Sequence, residues 1–430
     1  MLPLLTQSLW RDEAFSVILA GKSIFQIFVL STQDPSPPFY YLLLHFWMIL
    51  FGNTEVSIRT LSLFFHLGTT VLIYLLAAKL IKSKIVSLII AFATLINPFL
   101  LQYAFEARAY SMVVFLSVLS LYFVKTNKNL LAGAFLAMAI FTHNFAVLTF
   151  FIVIVWWLIA NRKNFNKKEF LKLVCFPVII MLLWGGVIFA QWSKFKEGFW
   201  IPRPTLSSFS STFKIFTSGE LHYSQKLIIL YLSRILFVTS IMSFILKLTK
   251  EKNSFIWLII GLIFIPVIAT FIFSQYFTPI YYERYLILST PLLILFIGYT
   301  LYNFLQKNSL LRTGLTILLA FYLLTLGLSS IEILNKQTKA DIKSGVLEIT
   351  KQAKEGDIII PKNSLNFLEV KYYAEKSSRD IPVYAHAKSG KVPFYIGGIL
   401  YEKQDIVKTL PVNKRIWQIE PNGRYELIIL

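Results

Sequence analysis

Residues 145–191 read FAVLTFFIVIVWWLIANRKNFNKKEFLKLVCFPVIIMLLWGGVIFAQ, an apolar run, a short basic break and a second apolar run. The runs cover 145–160 and 170–191, against the roughly 20 residues a helix needs to cross a hydrocarbon core of about 30 Å. Arg162, Lys163, Lys167 and Lys168 crowd into the break between them. Clustered cations flanked by apolar spans mark a loop on the cytoplasmic side of a membrane.

The same alternation extends outward in both directions. Apolar stretches recur at 59–81, 85–102, 108–124, 129–142, 145–160, 170–191, 227–246, 254–274, 285–304 and 311–330, with 129–142 the shortest. Of 430 residues, 56% are hydrophobic and only 15% charged, where a soluble domain carries about 25% charged residues. Charge returns after about Asn335. The expected fold is therefore an α-helical polytopic membrane protein of about ten transmembrane helices. Pro98, Pro177, Pro266 and Pro291 fall within or near spans, where neighbouring helices can satisfy the freed backbone groups.

Other basic clusters are Lys79, Lys82 and Lys84; Lys125 and Lys128; Lys247, Lys250 and Lys252; and Lys307 with Arg312. They follow every second span and go to the cytoplasm. The opposite side receives 1–58, QYAFEARAY, THNF, 192–226, QYFTPIYYERY and the tail. The net charge of +20 reads as this topology plus contact with anionic membrane lipids. Because the cations are scattered between spans and form no single stripe, no nucleic-acid partner is expected. The lone Cys175 excludes an intramolecular disulfide and argues against a thiol site. Residues 1–9 lack the charged region and apolar core of a cleavable signal peptide.

The chain divides into a first external loop, 1–58, a transmembrane helical domain, 59–334, and a small extracytoplasmic α/β domain, 335–430. In the last, DIKSGVLEITKQAKEGDIIIP has a helical pattern followed by a strand at Ile358–Ile360, and RIWQIE and YELIIL have strand patterns. With no Gly-rich phosphate loop and no metal-type cluster, this tail reads as a scaffold or lid. In the first loop, 38–51 is apolar but too short to span. It reads as an interfacial or tilted helix opened by Pro38, with Tyr40, Tyr41 and Trp47 at headgroup depth.

All the carboxylates of interest fall on the external side. WRDEAFS supplies Asp12 and Glu13, STQDPSPP supplies Asp34, YAFEARAY supplies Glu106 and Arg108, FTHNF supplies His143, and YYERYL supplies Glu283 and Arg284. Each has a plain alternative: a solvated flank, a turn cap, a local ion pair or an interfacial histidine. Ionisable groups at membrane depth are costly, however, by roughly 2.5–3.5 kcal/mol each, and several gather at span ends on one face. A carboxylate there can take a proton from an acceptor hydroxyl, and a nearby Arg can hold a departing phosphate. A phosphate-activated donor used on the far side of the membrane must arrive on a lipid.

SLWRDEAFS, DPSPPFYYLLLHFW, EARAYSM, FTHNFAVL and FWIPRPTLSSF occur in an order and spacing that resembles the GT-C membrane glycosyltransferases. The similarity is to the protein O-mannosyltransferase-like branch and the aminoarabinose transferases of lipid A, over residues 8 to about 330. The resemblance implies inverting transfer of a sugar, hexosyl or pentosyl, from a polyprenyl-phosphate donor to a glycan, lipid or protein acceptor at the outer face of the cell membrane. It implies Asp12 as the base and Glu13 as its positioning partner, with Asp34 and Glu106 shaping the acceptor site or binding a metal. His143 falls where some relatives place a Lys near the donor phosphate, and Arg108 and Arg284 are candidates for phosphate contact. A divalent metal ion is left open: Asp34, Glu106 and His143 could supply ligands, but from separate loops with no ligand spacing.

The pattern departs from the family in two places. Relatives carry a full transmembrane helix before the DEAFS loop, where only Met1–Leu9 precede it here, so the chain is expected to begin one segment late. Ser36 stands where relatives have His before the double proline. A transporter or flippase for lipid-linked glycans is the alternative, and it would place ionisable residues along a path through several spans. The span interiors here are nearly free of charge, which favours an enzyme over that class; a structural or sensory membrane protein is a third class, and it predicts that replacing Asp12 leaves function intact.

Overall fold

The computed structural model describes residues 2–196, 200–245, 253–305, 309–379, 381–393 and 397–429. Lys247, Lys250, Lys252, Lys307 and the first residue of FWIPRPTLSSF lie outside the described residues. Helices dominate. Among the described residues, five helices are long and apolar enough to cross a membrane: Glu55–Leu80, Lys167–Gln191, Lys226–Ile245, Ser254–Tyr276 and Arg312–Leu334. A sixth span arises if Lys84–Leu95 and Pro98–Ala104, bent by 59°, count as one.

This is fewer than the ten expected from apolar runs, and the reason is helix length. Tyr110–Lys125, Asn129–Ile140, Ala146–Ala160 and Ser289–Leu305 are apolar but shorter, and at 1.5 Å per residue they rise roughly 18–26 Å. An apolar run is longer than the helix it forms whenever capping turns consume its ends. Pro98 shows the effect most clearly. Expected within or near a span, it opens a new helix, with Asn97 Oδ1 accepting from the N–H groups of Phe99 and Leu100, both at 3.1 Å.

The described residues form two compact units. One comprises 62–105 and 109–334. Its core is built from helix faces, including Leu121, Val153, Ile259, Leu262, Leu292 and Phe296. Small residues permit close approach: a Cβ at Gly133 would lie 2.4 Å from the carbonyl oxygen of Leu173, so Asn129–Ile140 packs backbone to backbone on the helix that starts at Lys167. Outward faces are apolar, with Leu182 and Phe189 76% and 82% exposed, as expected of surfaces that meet lipid.

The other unit comprises 1–61, 106–108 and 335–430. Its N-terminal part holds helices Arg11–Ala20, Ile24–Ser31 and Phe39–Phe51 and the first residues of Glu55–Leu80. Phe39–Phe51 forms directly after Pro38, but Tyr40 and Tyr41 are buried and do not face headgroups as expected. Tyr41 packs edge-on against Phe15 at 5.9 Å and against Tyr40 at 5.7 Å. Phe46, Ile49, Leu50 and Phe51 form the exposed apolar end of that helix. The C-terminal part has helices Ile342–Gln352 and Phe367–Glu375 and strands β1 (Ile358–Pro361), β2 (Ala385–His386), β3 (Ile406–Val407), β4 (Arg415–Ile419) and β5 (Tyr425–Ile429). Strand β4 pairs parallel with β1 and antiparallel with β5, and β2 pairs parallel with β3. Asp341 caps the first of these helices by accepting from Ser344 N–H at 3.2 Å.

Candidate active site around Asp12 and Arg108

Helix Arg11–Ala20 carries Asp12 and Glu13 in its first turn. Successive helix positions lie about 100° apart around the axis, so the two carboxylates face different surroundings. Glu13 is fully buried. Its Oε1 accepts from Arg59 Nε at 2.8 Å and from the Ala107 N–H at 2.9 Å; its Oε2 accepts from Arg59 Nη2 at 2.7 Å and from the Trp10 N–H at 3.3 Å. Arg59 is equally buried and gives its remaining donors to the carbonyls of Leu5, Gln7 and Ser8 at 2.9, 2.8 and 3.0 Å. This bidentate pair ties three separated stretches, 5–13, 59 and 107, into one arrangement.

Asp12 keeps 16% of its side chain exposed. Its Oδ2 lies 3.7 Å from Arg108 Nη2 and its Oδ1 lies 3.4 Å from Arg11 Nε. Arg108 Nη1 also donates to the Asp12 carbonyl at 3.3 Å and to Ser16 Oγ at 3.5 Å. A carboxylate and a guanidinium thus stand side by side, both with an accessible edge. Asp34 joins them electrostatically. Its carboxylate accepts from Ser36 N–H at 2.9 Å inside the DPSPP turn. Burial pushes its pKa up to about 6, Arg108 pulls it down and Asp12 pushes it up.

Glu106 is buried and accepts from Lys339 Nζ at 2.7 Å. The same ammonium lies 4.2 Å from the centre of the Trp10 ring. Glu369, on helix Phe367–Glu375, is also buried. Burial pushes its pKa up to about 7; hydrogen bonds from Asn366 and from the Arg11 backbone, and the Arg11 charge, act downward, and Asp12 acts upward.

Of the residues singled out in the sequence, Asp12, Glu13, Asp34, Glu106 and Arg108 fall in this unit; His143 and Arg284 fall in the other. There they share neighbours. The Arg284 guanidinium lies over four rings, 4.7 Å from Tyr282, 5.5 Å from Trp200 and 5.7 Å from both Tyr110 and Tyr285. The His143 ring lies 5.7 Å from Tyr110 and 5.4 Å from Tyr285. Burial raises the pKa of the adjacent Glu283. Among the described residues, no three His, Cys, Asp or Glu side chains are placed to hold a metal ion, and Glu106 is already committed to Lys339.

Sequence reasoning missed Arg59, Lys339 and Glu369. Arg59 carried a usable signal, an ionisable residue at the start of an apolar run. Lys339 and Glu369 carried none, since nothing in their spacing separates them from other surface charges.

Comparison with known proteins bears on this geometry. Residues 35–184 match the family model of dolichyl-phosphate-mannose-protein mannosyltransferases. That stretch contains Glu106, Arg108 and His143, whereas Asp12, Glu13, Asp34 and Arg284 lie outside it. The fold superposes on the crystal structure of ArnT from Cupriavidus metallidurans in the apo state with a TM-score of 0.62 at 12% identity, covering 97% of this chain and 90% of that one. The chain shares the fold of ArnT. The resemblance to the ArnT and O-mannosyltransferase-like group is thereby borne out, and with five or six apolar spans among the described residues the chain is a multi-pass membrane protein. The structure of the same ArnT bound to undecaprenyl phosphate matches with a TM-score of 0.61 at 14% identity, over 97% of this chain and 90% of that one. No curated protein sequence matches the chain.

Proposed function

We propose that this protein is a membrane glycosyltransferase that moves a sugar from a polyprenyl-phosphate donor to an acceptor hydroxyl on the extracytoplasmic side. The observation that carries this reading is the partly exposed Asp12 carboxylate 3.7 Å from the Arg108 guanidinium, within a GT-C fold. The family match and the undecaprenyl phosphate bound to the ArnT neighbour support a lipid-linked donor.

In this reading Asp12 accepts the proton of the acceptor hydroxyl. The hydroxyl oxygen attacks the anomeric carbon from the face opposite the lipid phosphate, the bond from that carbon to the phosphate oxygen breaks, and configuration inverts. Arg108 stabilises the charge that builds on the leaving phosphate. Glu13, locked by Arg59, positions Asp12 and takes no proton. Asp34 and Glu106 shape the acceptor side, and His143 and Arg284 hold the donor's phosphate. The shorter apolar helices are embedded beside the long spans, bringing the total to about ten, and 335–430 is an extracytoplasmic α/β domain.

The test is transfer from a polyprenyl-phosphate sugar in liposomes. Asp12→Asn should lower turnover by roughly 10²–10⁴-fold without changing the thermal midpoint. Full turnover by this variant would remove Asp12 as the base.

A further inference from the structure

Helices Lys84–Leu95, Lys226–Ile245, Ser289–Leu305 and Arg312–Leu334 of the helical unit surround a cavity of about 320 Å³. Its walls are aliphatic, with Ile90, Leu236, Leu293, Ile297, Leu301 and Leu319 among them. Water finds too few hydrogen-bond partners in such a space, so the molecule that suits it is a hydrocarbon.

The cavity has a direction. Along Arg312–Leu334, Arg312 and Thr316 line it and are exposed, whereas Tyr322 lines it and is buried. It therefore opens at the Arg312 end and closes at the Tyr322 end. Arg312 to Tyr322 rises about 15 Å, and Leu293 to Leu305 on another wall about 18 Å. Both lengths are close to half of the roughly 30 Å hydrocarbon core, the depth that one leaflet's acyl chains occupy.

The open end is cationic. Among the described residues no carboxylate pairs with the Arg312 guanidinium. Arg312 belongs to one of the basic clusters that the sequence assigns to the cytoplasmic side, where the leaflet is rich in anionic lipid. Arg284, the candidate contact for the donor phosphate, precedes the opposite end of Ser289–Leu305, about 25 Å away along that helix. An anion held at Arg312 is thus a different one.

We propose that this cavity is a binding site for an anionic phospholipid of the cytoplasmic leaflet, with one acyl chain between the helices and the lipid phosphate at Arg312. Occupancy of this site does not depend on the transfer reaction.

The experiment is native mass spectrometry of the full chain in detergent, titrated with dioleoyl-phosphatidylglycerol or dioleoyl-phosphatidylcholine. The wild type should hold phosphatidylglycerol about fivefold more tightly, and Arg312→Gln should abolish that preference while leaving phosphatidylcholine binding unchanged. Thr316→Phe, which puts a ring into the cavity from an exposed position, should weaken both lipids about tenfold. Lys163→Gln, an exposed cation in another basic break, should change neither. Undecaprenyl phosphate at equal concentration should leave the phosphatidylglycerol adduct in place. Equal affinity of the wild type for the two lipids, wild-type binding by Arg312→Gln or Thr316→Phe, or an equal loss in Lys163→Gln would each overturn the proposal. Displacement by undecaprenyl phosphate would also overturn it, giving the cavity to the donor's tail.

Discussion

Arg59→Met is the sharpest perturbation of this structure. Arg59 makes five hydrogen bonds, two to Glu13 and three to the carbonyls of Leu5, Gln7 and Ser8, with no exposed surface. Methionine fills much of the volume but leaves a buried carboxylate without its counter-charge. Removing one partner of a buried ion pair costs about 3–5 kcal/mol. The unit that holds the pair has about 160 residues, for which each kcal/mol shifts the midpoint by roughly 2–4 °C. The expected fall is therefore about 10 °C in thermal midpoint, followed by tryptophan fluorescence of the purified protein in detergent. Adding Glu13→Gln removes the stranded charge while keeping one oxygen for the Ala107 N–H, so the double variant should regain roughly half of the loss. Arg59→Lys should resemble the methionine variant, since an ammonium cannot reproduce the guanidinium fork. A single variant melting within about 2 °C of wild type, or a double variant no more stable than the single, would refute the view that this pair holds the loop together.

The pKa of Asp34 is raised from 3.8 to about 6 in the folded chain. Its contribution to stability is thus full below about pH 4 and is lost as pH rises through 6. Asp34→Asn should therefore gain more over wild type at pH 8 than at pH 4.5, by up to about 3 kcal/mol; equal differences at the two pH values would disprove the shift. Lys339→Met strands buried Glu106 and should cost about 2 kcal/mol, recovered when Glu106→Gln is added; a thermal midpoint unmoved by the single change would show the pair to be idle. Arg284→Lys loses the stacked guanidinium. It should weaken binding of undecaprenyl phosphate about tenfold at unchanged thermal midpoint, and unaltered affinity would remove Arg284 from the phosphate contacts.

Much of the architecture was legible because its causes are local. The apolar runs around NRKNFNKKEF specify membrane helices through the cost of exposing polar backbone to lipid, and the patterns of DIKSGVLEITKQ, DIIIP, RIWQIE and YELIIL specified a helix and three strands that the structure contains. WRDEAFS, EARAYSM and their neighbours were enough to select the fold group. Less legible were features that depend on what a segment meets. Tyr40 and Tyr41 have the composition of an interfacial belt, yet they pack inside because Phe15 lies against that helix face. Pro98 starts a new helix because Asn97 caps it there, a bend of 59° that the apolar run from 85 to 102 does not announce.

The candidate site divides along the same line. Sequence by itself determined which ionisable residues stand out against an apolar chain, because charge and hydropathy act on each residue independently of its distant neighbours. The resemblance assigned Asp12 and Glu13 different roles, but residue chemistry alone gives two adjacent carboxylates no reason to differ. The tertiary structure supplies one, by bringing Arg59 and the Ala107 N–H to Glu13 and leaving Asp12 accessible beside Arg108. The same holds for Glu369 and Lys339, which look like ordinary charges of a polar tail. Their surroundings are set by contacts more than 200 positions away in the chain, and burial and pairing at such separations are properties of the fold, with no local pattern to announce them.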